Sequence, residues 1–133
     1  MTPRMTSEEF CNHANGKPWV NRAEGPVAYD CWGLVLASFR EVDGIELPVV
    51  AGYANKECST GEAASQIDMS RFTPCQPTNG AIMAIFKNNE QLEHVGRCLC
   101  GRVLHATDKM GTRWDTYQSI SNRNRNVRYY KYA

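Results

Sequence analysis

Cys31, His94 and His105 are the side chains of this 133-residue chain best suited to nucleophilic chemistry. Cys31 follows Asp30 and heads the run Trp32-Gly33-Leu34-Val35-Leu36-Ala37. An aspartate before an apolar run reads as a helix N-cap, so the thiol is expected in the first turn of a helix. Unpaired amides and the helix dipole there favour a thiolate, and a neighbouring imidazole lowers a thiol pKa further. The Cys31 N–H is also placed to hold a developing oxyanion. The competing reading is a core cysteine, a common use of the residue.

The two histidines sit in strand-like contexts, His94-Val95-Gly96 and Leu104-His105-Ala106. If Cys100-Gly101 is a two-residue hairpin turn, Leu99 faces Arg102, Gly96 faces His105 and His94 faces Thr107. His94 and His105 then share one face as diagonal neighbours, close enough for their rings to meet. Gly96 leaves room beside His105. This arrangement suits His94 as general base to the thiol and His105 as the group that orients it. Two unrelated strand histidines, or a metal pair, are the alternatives.

These residues need a helix and a sheet to hold them. Thr6 and Glu9 form a capping box for a first helix, which Gly16 and Pro18 end. Residues 16–29 read as loop, and a second helix is expected from Cys31 to Val42, apolar enough to be buried over most of its circumference. Asp43-Gly44 closes it. Thr60 caps a short helix to about Met69, and Pro74 and Pro77 break regular structure beyond it. Strands are expected at Ala81–Lys87, His94–Leu99, Val103–Thr107 and Val127–Tyr132, with a turn at Asn88-Asn89-Glu90. Residues 107–126 read as loop anchored by Trp114 and Tyr117. Helices first and antiparallel strands second indicate an α+β domain covering 1–133.

Composition narrows the function. Fifteen basic and fourteen acidic residues leave a net charge of +1, which argues against a nucleic-acid binder. No run of apolar residues is long enough to span a membrane, and the N-terminus shows no secretory leader, so synthesis in a cytoplasm is expected. The six cysteines, at 11, 31, 58, 75, 98 and 100, then read as reduced thiols rather than disulfides. Their spacing fits no zinc knuckle, and no metal or organic cofactor is expected. The cluster Arg123, Arg125 and Arg128 reads as a solvated surface, with contact to an anionic wall polymer as the alternative.

Asp30-Cys31-Trp32-Gly33-Leu34-Val35, His94-Val95-Gly96 and Leu104-His105-Ala106 together resemble the NlpC/p-sixty superfamily, the papain-like cysteine peptidases of bacterial cell-wall turnover. The resemblance runs from about Gly16 to Ala106. It implies a papain-like α+β fold, with the helix carrying the nucleophile packed on an antiparallel sheet. It also implies Cys31 as nucleophile, His94 as base and His105 as third member. The implied substrate is a peptidoglycan stem peptide, cut after D-glutamate through a thioester. Trp19, Asp30, Trp32 and Gly96 are the expected substrate-side residues. For Trp32 a core aromatic is the favoured reading and a subsite wall beside the thiol the alternative.

The Trp-Gly-Leu-Val segment, Gly44-Ile45-Glu46-Leu47-Pro48 and Tyr129-Tyr130 are similar to tail-associated members in bacteriophages and prophages. That similarity implies a virion-borne protein with other tail proteins as partners, acting on the cell wall. A structural tail-assembly protein and a bacterial amidase effector are the alternative functions. Three positions depart from the family pattern. Trp19 stands where a tyrosine is usual, Ala81 follows Gly80 in place of aspartate, and Arg97 follows His94-Val95-Gly96 where an apolar residue is usual. Residues 49–78 and 107–126 carry no motif and are expected to line or cover the cleft.

Overall fold

The computed structural model describes residues 3–47, 71–87 and 92–132. Helix α1, Ser7–Ala14, begins at Thr6, whose hydroxyl accepts from the Glu9 amide while the Glu9 carboxylate accepts from the Thr6 amide. This is the capping box read from the sequence. Helix α2, Cys31–Ser38, is buried at every position, as its unbroken apolar content requires. It passes into a π-helical turn, Phe39–Asp43, that Gly44 ends in the left-handed conformation at φ 69°. The expected helix to Val42 is therefore an α-helix to Ser38 plus that turn.

Six strands come after it, among them β1 (Phe72–Cys75), β2 (Ile82–Phe86), β3 (Leu92–Leu99) and β4 (Arg102–Thr107). The last two are β5 (Gly111–Asp115) and β6 (Val127–Tyr132). They form one sheet in the order β1-β6-β2-β3-β4-β5, with every pairing antiparallel. β1 lies at the sheet edge, which is why it can contain Pro74 without losing a ladder bond to a second neighbour. The reading of Pro74 as a strand breaker is corrected accordingly.

Residues 107–126 also differ from expectation. They contain β5 and a third helix, α3 (Tyr117–Arg123), capped by the Thr116 hydroxyl on the Ser119 amide. The expected helix at 60–69 and turn at 88–90 lie outside the described residues.

α2 packs on one face of the sheet. Trp32, Val35, Leu36 and Phe39 meet Phe72, Ile82, Ala84 and Val95, while Leu34 and Ala37 meet α1 and the strand residues Leu99, Leu104 and Ala106. α3 packs on the other face, where Ile120 joins Met83, Ile85, Cys98 and Val103. The result is a three-layer α/sheet/α arrangement. A Cβ at Gly33 would lie 1.9 Å from the Ala23 carbonyl oxygen, so only glycine lets α2 press on the loop before it.

Candidate active site

Asp30 sets the start of α2. Its carboxylate accepts from the Gly33 amide at 2.6 Å and from the Arg22 amide at 2.7 Å, so the loop and the first helical turn share one cap. Cys31 follows with 6% of its surface exposed. Burial pushes its thiol pKa up to about 12, and the Asp30 charge adds to the rise. The amides of Val95, Trp32 and Cys31 itself oppose this by donating to the sulfur. The expectation of a thiolate favoured by the helix start is thus corrected: loss of hydration outweighs the dipole.

The β3–β4 hairpin turns at Cys100 and Gly101, which have φ of 54° and 77°. Its register pairs Leu99 with Arg102, Cys98 with Val103 and Arg97 with Leu104, as read from the sequence. Beyond Arg97 and Leu104 the paired ladder stops. Val95 is the next residue due to bond across it, and its amide is among the groups that lower the Cys31 pKa. Cys31 packs in the α2-side core against Val95, the neighbour of His94 in β3.

The imidazoles lie on the α3 side of the sheet, in a cleft whose wall does not include Cys31. His94 Nε2 lies 2.8 Å from His105 Nδ1, and their ring centroids are 5.1 Å apart. A Cβ at Gly96 would lie 2.9 Å from His105 Cβ and 2.9 Å from the Leu104 carbonyl oxygen, so glycine there is what admits the second ring. His94 uses Nε2 on His105, which leaves its Nδ1, the nitrogen nearer the main chain, outside that bond. Burial, with the His105 charge second, lowers the His94 pKa to about 3. Burial also lowers that of His105, against the pull of Asp115. Both rings are neutral at physiological pH.

A fourth residue completes the row. His105 Nε2 lies 2.6 Å from Asp115 Oδ2. Arg123 Nη2 is 3.1 Å from the same oxygen and Arg113 Nη2 is 3.3 Å from Oδ1. Burial alone would raise the Asp115 pKa, but His105 and the two guanidinium groups hold it below the ordinary carboxylate value. A cleft of about 330 Å³ opens over the row, with His94, His105, Ile120, Arg123 and Asn124 in its wall. Among the described residues no group of three or more His, Cys, Asp or Glu is arranged to hold a metal ion.

The profile of the NlpC/P60 family matches residues 16–132. This chain belongs to the NlpC/P60 family. Solved structures of similar fold include the NlpC/p60 domain of the peptidoglycan hydrolase SagA, at TM-score 0.62 and 13% identity over 96% of this chain and 97% of that one. A lipoprotein-like NLP/P60 family protein from Staphylococcus aureus aligns at TM-score 0.57 and 19% identity over 92% of this chain. NlpC2 from Trichomonas vaginalis aligns at 0.57 and 21% over 95%. The chain spans 39% and 46% of the length of these last two. Among curated proteins no sequence matches. With its six-stranded sheet and packed helices, the fold is the papain-like α+β fold of the NlpC/P60 family.

The NlpC/P60 match spans Cys31, both histidines and Asp115. The expected substrate-side residues fall elsewhere in the fold. Asp30 is 0% exposed and Trp32 1%, so neither offers a substrate any surface; Asp30 caps α2 and Trp32 fills the core. Gly96 is buried between the strands. Trp19 bridges to Tyr29 and packs on the α1 cluster, half-buried. Asp115 was missed because 107–126 reads as loop. The signal lay in Gly111-Thr-Arg-Trp-Asp115, where residues 111, 113 and 115 would share one face of a strand.

Proposed function

We propose that this chain is a single-domain thiol hydrolase, residues 1–133, that cuts peptide stems of bacterial peptidoglycan with Cys31 as nucleophile, His94 as base and His105 as orienter. The observation that carries the reading is the hydrogen-bonded pair His94–His105, whose first ring neighbours in β3 the Val95 that packs with Cys31. Family membership supports it, and SagA, a fold neighbour, is named a peptidoglycan hydrolase. A neutral His94 carries a ring lone pair that can accept a proton. As the sulfur attacks a carbonyl carbon, His94 takes the thiol proton and the C–S bond forms. The Cys31 amide, at the helix start, holds the resulting oxyanion. His94 then gives its proton to the leaving amine, the C–N bond breaks and a thioester remains. Water, deprotonated by His94, cleaves the thioester and restores the thiol. No metal enters the scheme.

The tail-associated setting rests on the likeness of Trp32-Gly33-Leu34-Val35, Gly44–Pro48 and Tyr129-Tyr130 to phage members, with other tail proteins as partners. Tail genes beside the coding gene are the expected finding; an immunity gene in that place would favour the effector reading instead.

Incubation of the purified chain with peptidoglycan, followed by mass spectrometry of released amine ends, tests the chemistry. Cys31→Ala is expected to release none. His94→Ala is expected to lose roughly 10²–10⁴-fold in rate, the usual worth of a general base. His105→Asn should keep part of the rate, because an amide can still hold an imidazole. Equal turnover by wild type and His94→Ala removes the base assignment. No turnover by wild type, with Cys31→Ala virions still infectious, supports an assembly role instead.

A further inference from the structure

We infer that Asp115 is a positioning residue that sets the proton on both imidazoles. The inference deepens the hydrolase reading and rests on it for its catalytic meaning. An ionised carboxylate can only accept hydrogen bonds. At 2.6 Å, Asp115 Oδ2 therefore requires the proton of neutral His105 to be on Nε2. His105 Nδ1 is then an acceptor, so at 2.8 Å the proton of His94 must be on Nε2. That leaves His94 Nδ1 unprotonated, on the main-chain side of the ring, where the thiol proton has to go. One carboxylate thus dictates the state of a base two residues away along a row of hydrogen bonds.

The surroundings keep the carboxylate charged. It is 7% exposed, and Arg113 and Arg123 contact its two oxygens from β5 and α3. Glu93, the acidic group in the same cleft wall, is exposed to solvent on β3. The placement depends on register. Val103 pairs with Asp115 and His105 with Arg113, so residues 105, 113 and 115 share the α3 face of the sheet.

The chain has three histidines, His13, His94 and His105, so ring-nitrogen correlation spectra of protein labelled with ¹⁵N-histidine are tractable. In wild type, His94 and His105 should both show protonated Nε2 and bare Nδ1. In Asp115→Asn an amide N–H donates to His105 Nε2. His105 then carries its proton on Nδ1 and donates to His94 Nε2, and the His94 proton moves to Nδ1. Both tautomers should reverse, and kcat should fall roughly 10²–10⁴-fold with KM nearly unchanged, as when an orienting aspartate is replaced in serine proteases. Asp115→Glu should restore the wild-type tautomers and part of the rate.

Protonated Nδ1 on either ring of wild type overturns the inference, and that measurement stands even if Asp115→Asn fails to fold. Wild-type protein with the stated tautomers and no turnover sinks the hydrolase reading but supports the Asp115 assignment. Turnover with the opposite tautomers does the reverse.

Discussion

Cys31 combines two opposing influences. A helix start and three amide donors favour its thiolate, while burial disfavours it more strongly and leaves the thiol pKa at about 12. With His94 lowered to about 3, thiol and imidazole both rest neutral. Alkylation by iodoacetamide requires both thiolate and access. At pH 6–7 the exposed Cys100 should therefore label before Cys31, and labelling of Cys31 should climb as pH rises into the alkaline range. Peptide mapping by mass spectrometry reads both. Selective modification of Cys31 at pH 6 would show a resting thiolate and defeat the neutral-pair assignment.

The elements that carry the site are fixed by a few contacts that tolerate no extra atom. Gly33 admits the Ala23 carbonyl against the first turn of α2, and the Asp30 cap ties that turn to the loop through Gly33 and Arg22. Gly33→Ala forces Cβ to within 1.9 Å of that oxygen unless the backbone moves. The expected cost is ~1–3 kcal/mol, the range for overpacking a close contact, with turnover lost as the Cys31 amide shifts. Urea unfolding and the amine-release assay check the two parts, and a variant as stable and active as wild type would contradict the close approach.

The same elements show what a pattern of residues reveals. α1, α2 and the hairpin register were readable because capping side chains, an apolar run and a Cys-Gly turn act locally. β5 and α3 were not, because Gly111–Asp115 and Tyr117–Arg123 are short and partly polar. Pairing with β4 and packing of Ile120 stabilise them instead.

Across the molecule, buried titratable groups set a pH window for stability. An unfolded imidazole binds a proton below about 6.5, whereas folded His94 does so only near 3. Between those values the unfolded chain holds more protons, so stability falls as pH drops. His105 acts in the same direction. At the other end, the thiols of Cys11, Cys31 and Cys98 rise from 9.0 to about 12. Above pH 9 the unfolded chain loses those protons first, and stability falls as pH rises. Thermal melts should therefore show a maximum Tm between about pH 6.5 and 9, with both limbs declining. His94→Gln should flatten the acid limb. A Tm that keeps rising from pH 9 to 11 would show that the thiols are not shielded from water.

Arg97 illustrates how such burial is tolerated. At 2% exposure it pairs with Asp43 at 2.8 Å, donates to Ser38 Oγ and the Gly80 carbonyl, and lies 3.6 Å from the Phe39 ring centroid. The cation that departs from the family pattern thereby ties the end of α2 to β3. A buried charge is sustainable only with such partners.

Residue order alone determined the helix caps, the buried α2 and the hairpin register, because each comes from periodicity or from side chains acting on their own backbone. Tertiary structure alone decided that Asp115 stands behind His105, that Asp30 is interior, and that the thiol rests protonated. Those outcomes depend on strand pairing and on the removal of water, which act between residues far apart in the chain.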